Sequence, residues 1–294
     1  MAKLNLKKAS WSTFVRFSAN FLALIAAKQK KFPFKARPCY SKEDLIDGYA
    51  LNYKRYLKKQ YCLPNQSKLF FNKFAFSPSA LSFFLDYQDQ IAGTITLYED
   101  SNIGLPIESL HPTKINRFRK AGLKIAEVGG LSLDTQLLGC SGKNSLTNLT
   151  RLSALFLLFK AMHNYAYYRE LTHLVIMVHP RHENLYRLFD FRQFAPIKPY
   201  AGAQGSAALP LIQDIRASVN SAKDKGLKKF FYSPSFSSEF YSKTYRWTES
   251  DLLKFAQECP DAIQAVHDYL EDRKLVDKFG RSISNLGLRE TFLA

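Results

Sequence analysis

A chain of 294 residues, 46% hydrophobic and 14% aromatic, has enough apolar material for a full core, which excludes an intrinsically disordered protein. Its formal net charge of +17 points to an acidic partner: nucleic acid, an anionic membrane surface, an acidic protein or a phosphate-bearing cofactor. Cys39, Cys62, Cys140 and Cys259 are too scattered for a zinc site or a disulfide framework, so a reducing cytoplasm is the default compartment.

Residues 1–40 read as a basic N-terminal arm, since the chain carries Lys and Arg but no Asp or Glu as far as Lys42. Within the arm, residues 14–27 are apolar at roughly helical spacing and flanked by lysines. This pattern fits an amphipathic helix lying peripherally on an anionic membrane, or a terminal helix packed on the domain with a solvated basic face. Arg16, Ser18 and Asn20 interrupt the run, which argues against a secretory signal. No stretch reaches the roughly 18 apolar residues needed to span a bilayer.

Ser41 to Asp44 opens a helix by the capping-box pattern, with Leu45, Tyr49, Tyr53 and Tyr56 on its apolar face and an end near Lys59. Residues 61–80 read as a loop, and 81–87 and 91–98 as a hairpin turning at Gln88, Asp89 and Gln90. A basic helix with Arg117, Arg119 and Lys120 precedes a strand at 125–133. Further on come a long helix at about 149–168, an apolar strand at 174–178, and a helix opened by Pro180 and running to Leu188. Residues 217–294 read as a linker and a C-terminal helical extension. There Thr248 to Asp251 forms a second capping box and Pro260 interrupts the helix.

Glu127 stands inside an otherwise apolar strand-like run next to Gly129 and Gly130. A carboxylate is costly in such a place unless something pairs with it, and paired glycines weaken a strand unless a backbone or ligand must come close. Two readings follow for each feature. Glu127 is a base with a raised pKa, or it is paired with a lysine or arginine for structural reasons. The glycines form a bulge that splays this strand from the one at 174–178, or they make room for a neighbouring side chain.

The order of elements, with a loop-to-long-helix step after one strand and the segment from Pro180 through Arg181, His182 and Tyr186 to Phe191 after the next, resembles the GNAT acyltransferase fold. More narrowly, residues 40–214 resemble the long-chain N-acyl amino acid synthases, relatives of the acyl-homoserine lactone synthases. The resembling positions include Gly93 to Leu97, Gly104 to Pro106, Arg119, Ala126 to Val128 and Pro180 to His182. The resemblance implies an α/β (α+β) fold, a mixed central sheet flanked by helices, over residues 41–216. It also implies transfer of a long-chain fatty acyl group from an acyl carrier protein or acyl-CoA thioester to the α-amino group of an amino acid.

Under that reading Glu127 takes the ammonium proton. Val128, Gly129, Gly130 and Leu131 hold the pantetheine arm. Tyr186 stands where many members of this fold place a proton donor for the leaving thiolate, unless it is a core aromatic. The run of Gln136, Gly139, Gly142 and Lys143 is close to the superfamily's phosphate loop, with one extra residue between the glycines. That departure weakens CoA pyrophosphate binding and is compatible with the single phosphate of a carrier protein. Arg119 or Arg181, with His182, are candidates for the acceptor carboxylate. No tightly bound cofactor, no metal and no nucleic-acid partner are expected. Two alternatives stay open: an enzyme like the acyl-homoserine lactone synthases, and a non-catalytic basic module that binds membrane or nucleic acid.

Overall fold

Residues 80–99 set the centre of the sheet. Strands β2 (Ala80–Tyr87) and β3 (Gln90–Glu99) form a hairpin whose two turn residues, Gln88 and Asp89, both take left-handed backbone, with φ 50° and 58°. That geometry matches the right-handed twist of the strands it joins. The computed structural model describes residues 33–140, 145–221, 231 and 236–274. The apolar run at 14–27 therefore lies outside the described residues.

The last part of the basic arm is not an appendage. Phe34–Pro38 forms the edge strand β1, antiparallel to β2 from Phe34 opposite Tyr87 to Pro38 opposite Phe83. Arg37 fixes this edge by donating to both carboxylate oxygens of Asp44, at 2.6 and 2.8 Å, and to Asp86 at 2.5 Å. Charge-assisted forks of this kind hold direction as well as distance. Helix α1 (Lys42–Leu57) follows, and the Ser41 side chain accepts from the Asp44 N–H as the capping pattern requires.

The remaining strands are β4 (Ile125–Leu133), β5 (His173–Val178), β6 (Arg192–Gln193), β7 (Lys198–Tyr200) and β8 (Ser206–Asp214). The sheet runs β1-β2-β3-β4-β5-β8-β6, with β7 also on β8. Of its pairings only β4 with β5 is parallel. This is the mixed sheet expected from the sequence. The helix expected from Pro180 to Leu188 is shorter: α4 is a single turn at Glu183–Tyr186, between two 3₁₀ turns. Asp190, left-handed at φ 64°, ends it.

Period-two alternation sends β-strand side chains into two cores. Phe83, Leu85, Ile95, Leu97, Ala126, Val128, Leu174 and Ile176 pack on one face with α3 (Ser145–Tyr168). Helix α3 is buried on almost every side from Ala154 to Ala166, so its apolar character is not confined to a stripe. His163 is a satisfied core histidine, bonded to the Phe159 carbonyl and the Gln213 side chain.

Phe84, Tyr98, Ile125 and Val175 face the other core, which also holds Leu45 and Tyr49 of α1. There α5 (Glu249–Glu258) and α6 (Ile263–Asp272) complete the layer with Phe255, Val266 and Tyr269. These two helices are thus a wall of the domain's second core. Trp247 seals it, donating to the Tyr49 hydroxyl at 3.2 Å and packing against Phe76 and Phe255. Burial of this ring predicts that Trp247→Ala costs about 3–5 kcal/mol. Thermal unfolding of the variant should show one lowered transition, whereas an independent C-terminal unit would leave the main transition unmoved.

Candidate active site

Strand β4 changes partner geometry half-way along. Against β3, Thr96 pairs with Gly129 and Thr94 with Ser132, so the single residue Ile95 opposes both Gly130 and Leu131. This is a β-bulge, and Gly130 at φ +56° supplies its left-handed residue. Against β5, pairing begins at Ile125 with His173 and stops at Val128 with Ile176. Beyond that point β5 continues on β8 alone, with Met177 opposite Pro210 and Val178 opposite Leu209.

The two strands therefore part at the bulge, and a cleft of about 530 Å³ opens there. Val128, Gly129, Gly130 and Leu131 line it, as do Ile176, Met177 and Val178 across the gap. Both glycines are required. A Cβ on Gly129 would lie 2.8 Å from the Tyr98 ring, and one on Gly130 would lie 3.2 Å from Thr96 Oγ1. The two readings of the glycine pair are thus true together: it bends the strand and it admits Tyr98.

Glu127 sits one residue before the opening, on the α1 face of the sheet, and is 3% exposed. Its Oε2 accepts the backbone N–H of Ile107 at 2.7 Å. Tyr98 stands directly across on β3. Among the described residues no lysine, arginine or histidine forms an ion pair with it. Burial pushes its carboxyl from 4.5 up to about 8; the Ile107 N–H opposes the rise and the Glu108 charge adds to it.

The Ile107 amide is itself held by an ionic clamp. Arg119, on α2 (Pro112–Lys120), donates twice to Asp100 at 2.7 Å and also binds Glu108, whose Oε1 in turn accepts the Leu105 N–H. Arg119 does not line the cleft, and its guanidinium is spent on these two carboxylates, so it is not free to grip an acceptor carboxylate. It fixes the loop that caps Glu127 instead.

Tyr186 reaches the cleft from the other core, where it packs edge-on to Phe159 and Phe191. Its hydroxyl makes no hydrogen bond to another described residue, and burial pushes its pKa up. It is both a core aromatic and a cleft residue. Arg181 and His182 line the cleft too; Arg181 donates to the Tyr61 hydroxyl at 3.0 Å and to His182 Nε2 at 3.1 Å.

The described part of the expected phosphate loop, residues 136–140, does not line the cleft. Gln136 and Gly139 do not line it, and the amides of the turn are consumed internally. Gln136 and Leu137 donate to Asp134 Oδ1, Leu138 to the Asp134 carbonyl, Gly139 to Gln136 and Cys140 to Thr135. Gly142 and Lys143 lie outside the described residues. Among the described residues His267, Asp268 and Glu271 have the spacing to hold a cation, and none of them lines the cleft.

The comparisons with known proteins give the family. The model of the family described as N-acyl amino acid synthase FeeM matches residues 47–212, more than half of the chain. The chain belongs to the FeeM N-acyl amino acid synthase family. It is an acyltransferase. The solved structure of FeeM, an N-acyl amino acid synthase from uncultured soil microbes, superposes with a TM-score of 0.55 at 22% identity, covering 65% of this chain and 94% of that one. LasI, an acyl-homoserine lactone synthase, gives a TM-score of 0.48 at 12% identity, covering 70% and 98%. BjaI, a CoA-dependent acyl-homoserine lactone synthase, gives 0.46 at 9% identity, covering 71% and 98%. No curated protein matches the chain.

Several cleft residues escape the sequence reading. Tyr98 and Tyr200 flank Glu127, and burial and the carboxylate together push Tyr200 up to about 12. Only the strand register reveals them. Asn52 is 5% exposed, lines the cleft and leaves its Oδ1 without a partner. Arg55 and Lys59 also line it; their spacing of four residues, like charges on one helix face, was a readable signal.

The raised Glu127 pKa fixes a sign for the dependence of stability on pH. Between about 4.5 and 8 the unfolded chain has released this proton and the folded chain has kept it, so the group's contribution to stability falls as pH rises through that window. Gln at this position keeps the carbonyl acceptor for Ile107 and removes the ionisation. Denaturant unfolding at a series of pH values should show Glu127→Gln gaining on the native protein as pH rises from about 5 to 8. A variant that is uniformly less stable would mean that the carboxylate is held in its charged form.

Proposed function

We propose that the protein moves a long-chain fatty acyl group from a phosphopantetheine thioester, carried by acyl carrier protein or by CoA, to the α-amino group of an amino acid by direct amine attack. The observation that carries this reading is the uncompensated Glu127 carboxyl at the point where β4 and β5 separate. Family membership supports the acyl transfer, and the residues support the way it is done.

Glu127 accepts a proton from the acceptor's ammonium group, directly or through a water. A pKa near 8 suits this task, since a base works best when its pKa lies close to the operating pH. The freed amine attacks the thioester carbonyl carbon, a C–N bond forms, and the C–S bond breaks. A backbone N–H of the 129–131 stretch that faces the gap stabilises the developing oxyanion. Tyr186 gives its proton to the departing thiolate and is reprotonated by the second proton that the attacking nitrogen sheds as the amide forms. Its raised pKa keeps it protonated until the thiolate departs, and it enters the cleft from the face opposite Glu127. The phenylalanines at 70 and 71 line the cleft and contribute to acyl binding, whereas Phe76, Phe83 and Phe84 are core.

Purified protein, given long-chain acyl carrier protein or acyl-CoA and a mixture of amino acids, should yield N-acyl amino acids detectable by mass spectrometry. Rates should rise with pH through about 8. Glu127→Gln should lower turnover by about 100-fold or more while remaining folded. No product from either donor, or equal turnover in the variant, would contradict the proposal. Tyr186→Phe should lower kcat by about 10- to 100-fold with KM little changed, a loss within the range for general-acid catalysis; loss of folding alone would assign the ring to packing.

A further inference from the structure

Charge is distributed unevenly along the cleft. At the end next to Thr135 stand Arg55 near the C-terminus of α1, Lys59 two residues beyond that helix, and Arg181 after β5. Arg55 donates to Thr135 Oγ1 at 3.4 Å and Arg181 to the Tyr61 hydroxyl at 3.0 Å, both neutral partners. No described carboxylate forms an ion pair with any of the three. Their mutual repulsion is felt: burial and the charges of Arg181 and Arg55 lower the Lys59 pKa. Like charges left together without counter-ions cost free energy, which a bound anion recovers.

Two buried polar atoms lie between this cluster and Glu127. Asn52 Oδ1 and Ser132 Oγ are fully enclosed without a hydrogen-bond partner, and both residues line the cleft. Orphaned acceptors in a cavity are what a ligand with N–H groups satisfies. From Glu127 to Leu133 the strand covers about 20 Å at roughly 3.3 Å per residue. The cleft is thus built for a long ligand, reactive at the Glu127 end, amide-bearing in the middle and anionic at the far end.

We infer that Arg55, Lys59 and Arg181 form a side-chain site for the phosphate of the donor's phosphopantetheine arm, beside a turn whose described amides, at residues 136–140, are already spent. The inference rests on the acyltransfer reading for the identity of the ligand. A phosphate suits the site better than the acceptor's carboxylate because three converging cations match a dianion, and because the cluster lies away from the Ile107 end where Glu127 receives its proton. Arg181 is thereby assigned to the donor and not to the acceptor.

Calorimetric titration of the full chain with phosphopantetheine and with pantetheine, which lacks only the phosphate, tests this without requiring turnover. At low salt phosphopantetheine should bind at least 30-fold more tightly, with the advantage shrinking as salt is raised. In the Arg55→Gln, Lys59→Gln, Arg181→Gln triple variant the ratio should fall below threefold, and Arg181→Lys alone should keep most of it. Equal affinities for the two ligands in the native protein, or an unchanged ratio in the triple variant, would overturn the site. Arms with CoA and with a phosphopantetheinylated carrier protein identify which molecule presents the phosphate. A protein that discriminates for phosphate yet transfers acyl groups from neither donor would keep this site and refute the acyltransfer reading, so the two failures are distinct.

Discussion

At Gly130 the backbone of β4 turns left-handed, and two of its residues come to face the single Ile95 of β3. The consequence appears on the other edge of the strand. Parallel strands hold together only while their slanted hydrogen bonds stay in register, and here the register is lost after Val128 and Ile176. A cleft in the middle of a sheet follows, bordered by main-chain groups that have lost their strand partner. In a continuous sheet the same residues would be sealed, and Glu127 would be a buried charge with no purpose.

The environment of Glu127 is arranged to keep it buried but unpaired. Asp100 and Glu108 share the single cation of Arg119 close by, which holds the 100–110 loop in place and leaves one amide, that of Ile107, for the carboxyl. Had Arg119 reached Glu127 directly, the pKa would have fallen below its ordinary value and the group would be a poor base at neutral pH. The clamp therefore acts through position. At the far end of the cleft the arrangement is reversed, with cations left without carboxylates.

Much of this was written locally in the chain. The caps at Ser41 and Thr248, the Gln88–Asp89 turn and the oddity of a carboxylate beside two glycines each depend on neighbours within a few residues, and such features can be read from sequence. What stayed hidden depends on distant partners. Arg119 looked like a solvated or substrate-binding cation because Asp100 and Glu108, 19 and 11 residues away, fold back onto it only in three dimensions. The run at 136–143 resembled a phosphate loop because glycine spacing is visible in sequence, whereas the hydrogen bonds that occupy the amides of its described residues, 136–140, are not. The C-terminal helices read as an appendage because nothing local reveals that Trp247 meets Tyr49.

The central claim is that Glu127 is protonated near neutrality because it is buried without a counter-charge. Its most direct test is a titration of the carboxyl itself, by ¹³C NMR of protein labelled at the glutamate side-chain carboxyl, with Glu127→Gln to assign the resonance. The account predicts a midpoint near 8 for that signal. A midpoint at or below 4.5 would contradict it, for it would mean that a cation or further hydrogen bonds hold Glu127 ionised, and that the base must be sought elsewhere in the cleft.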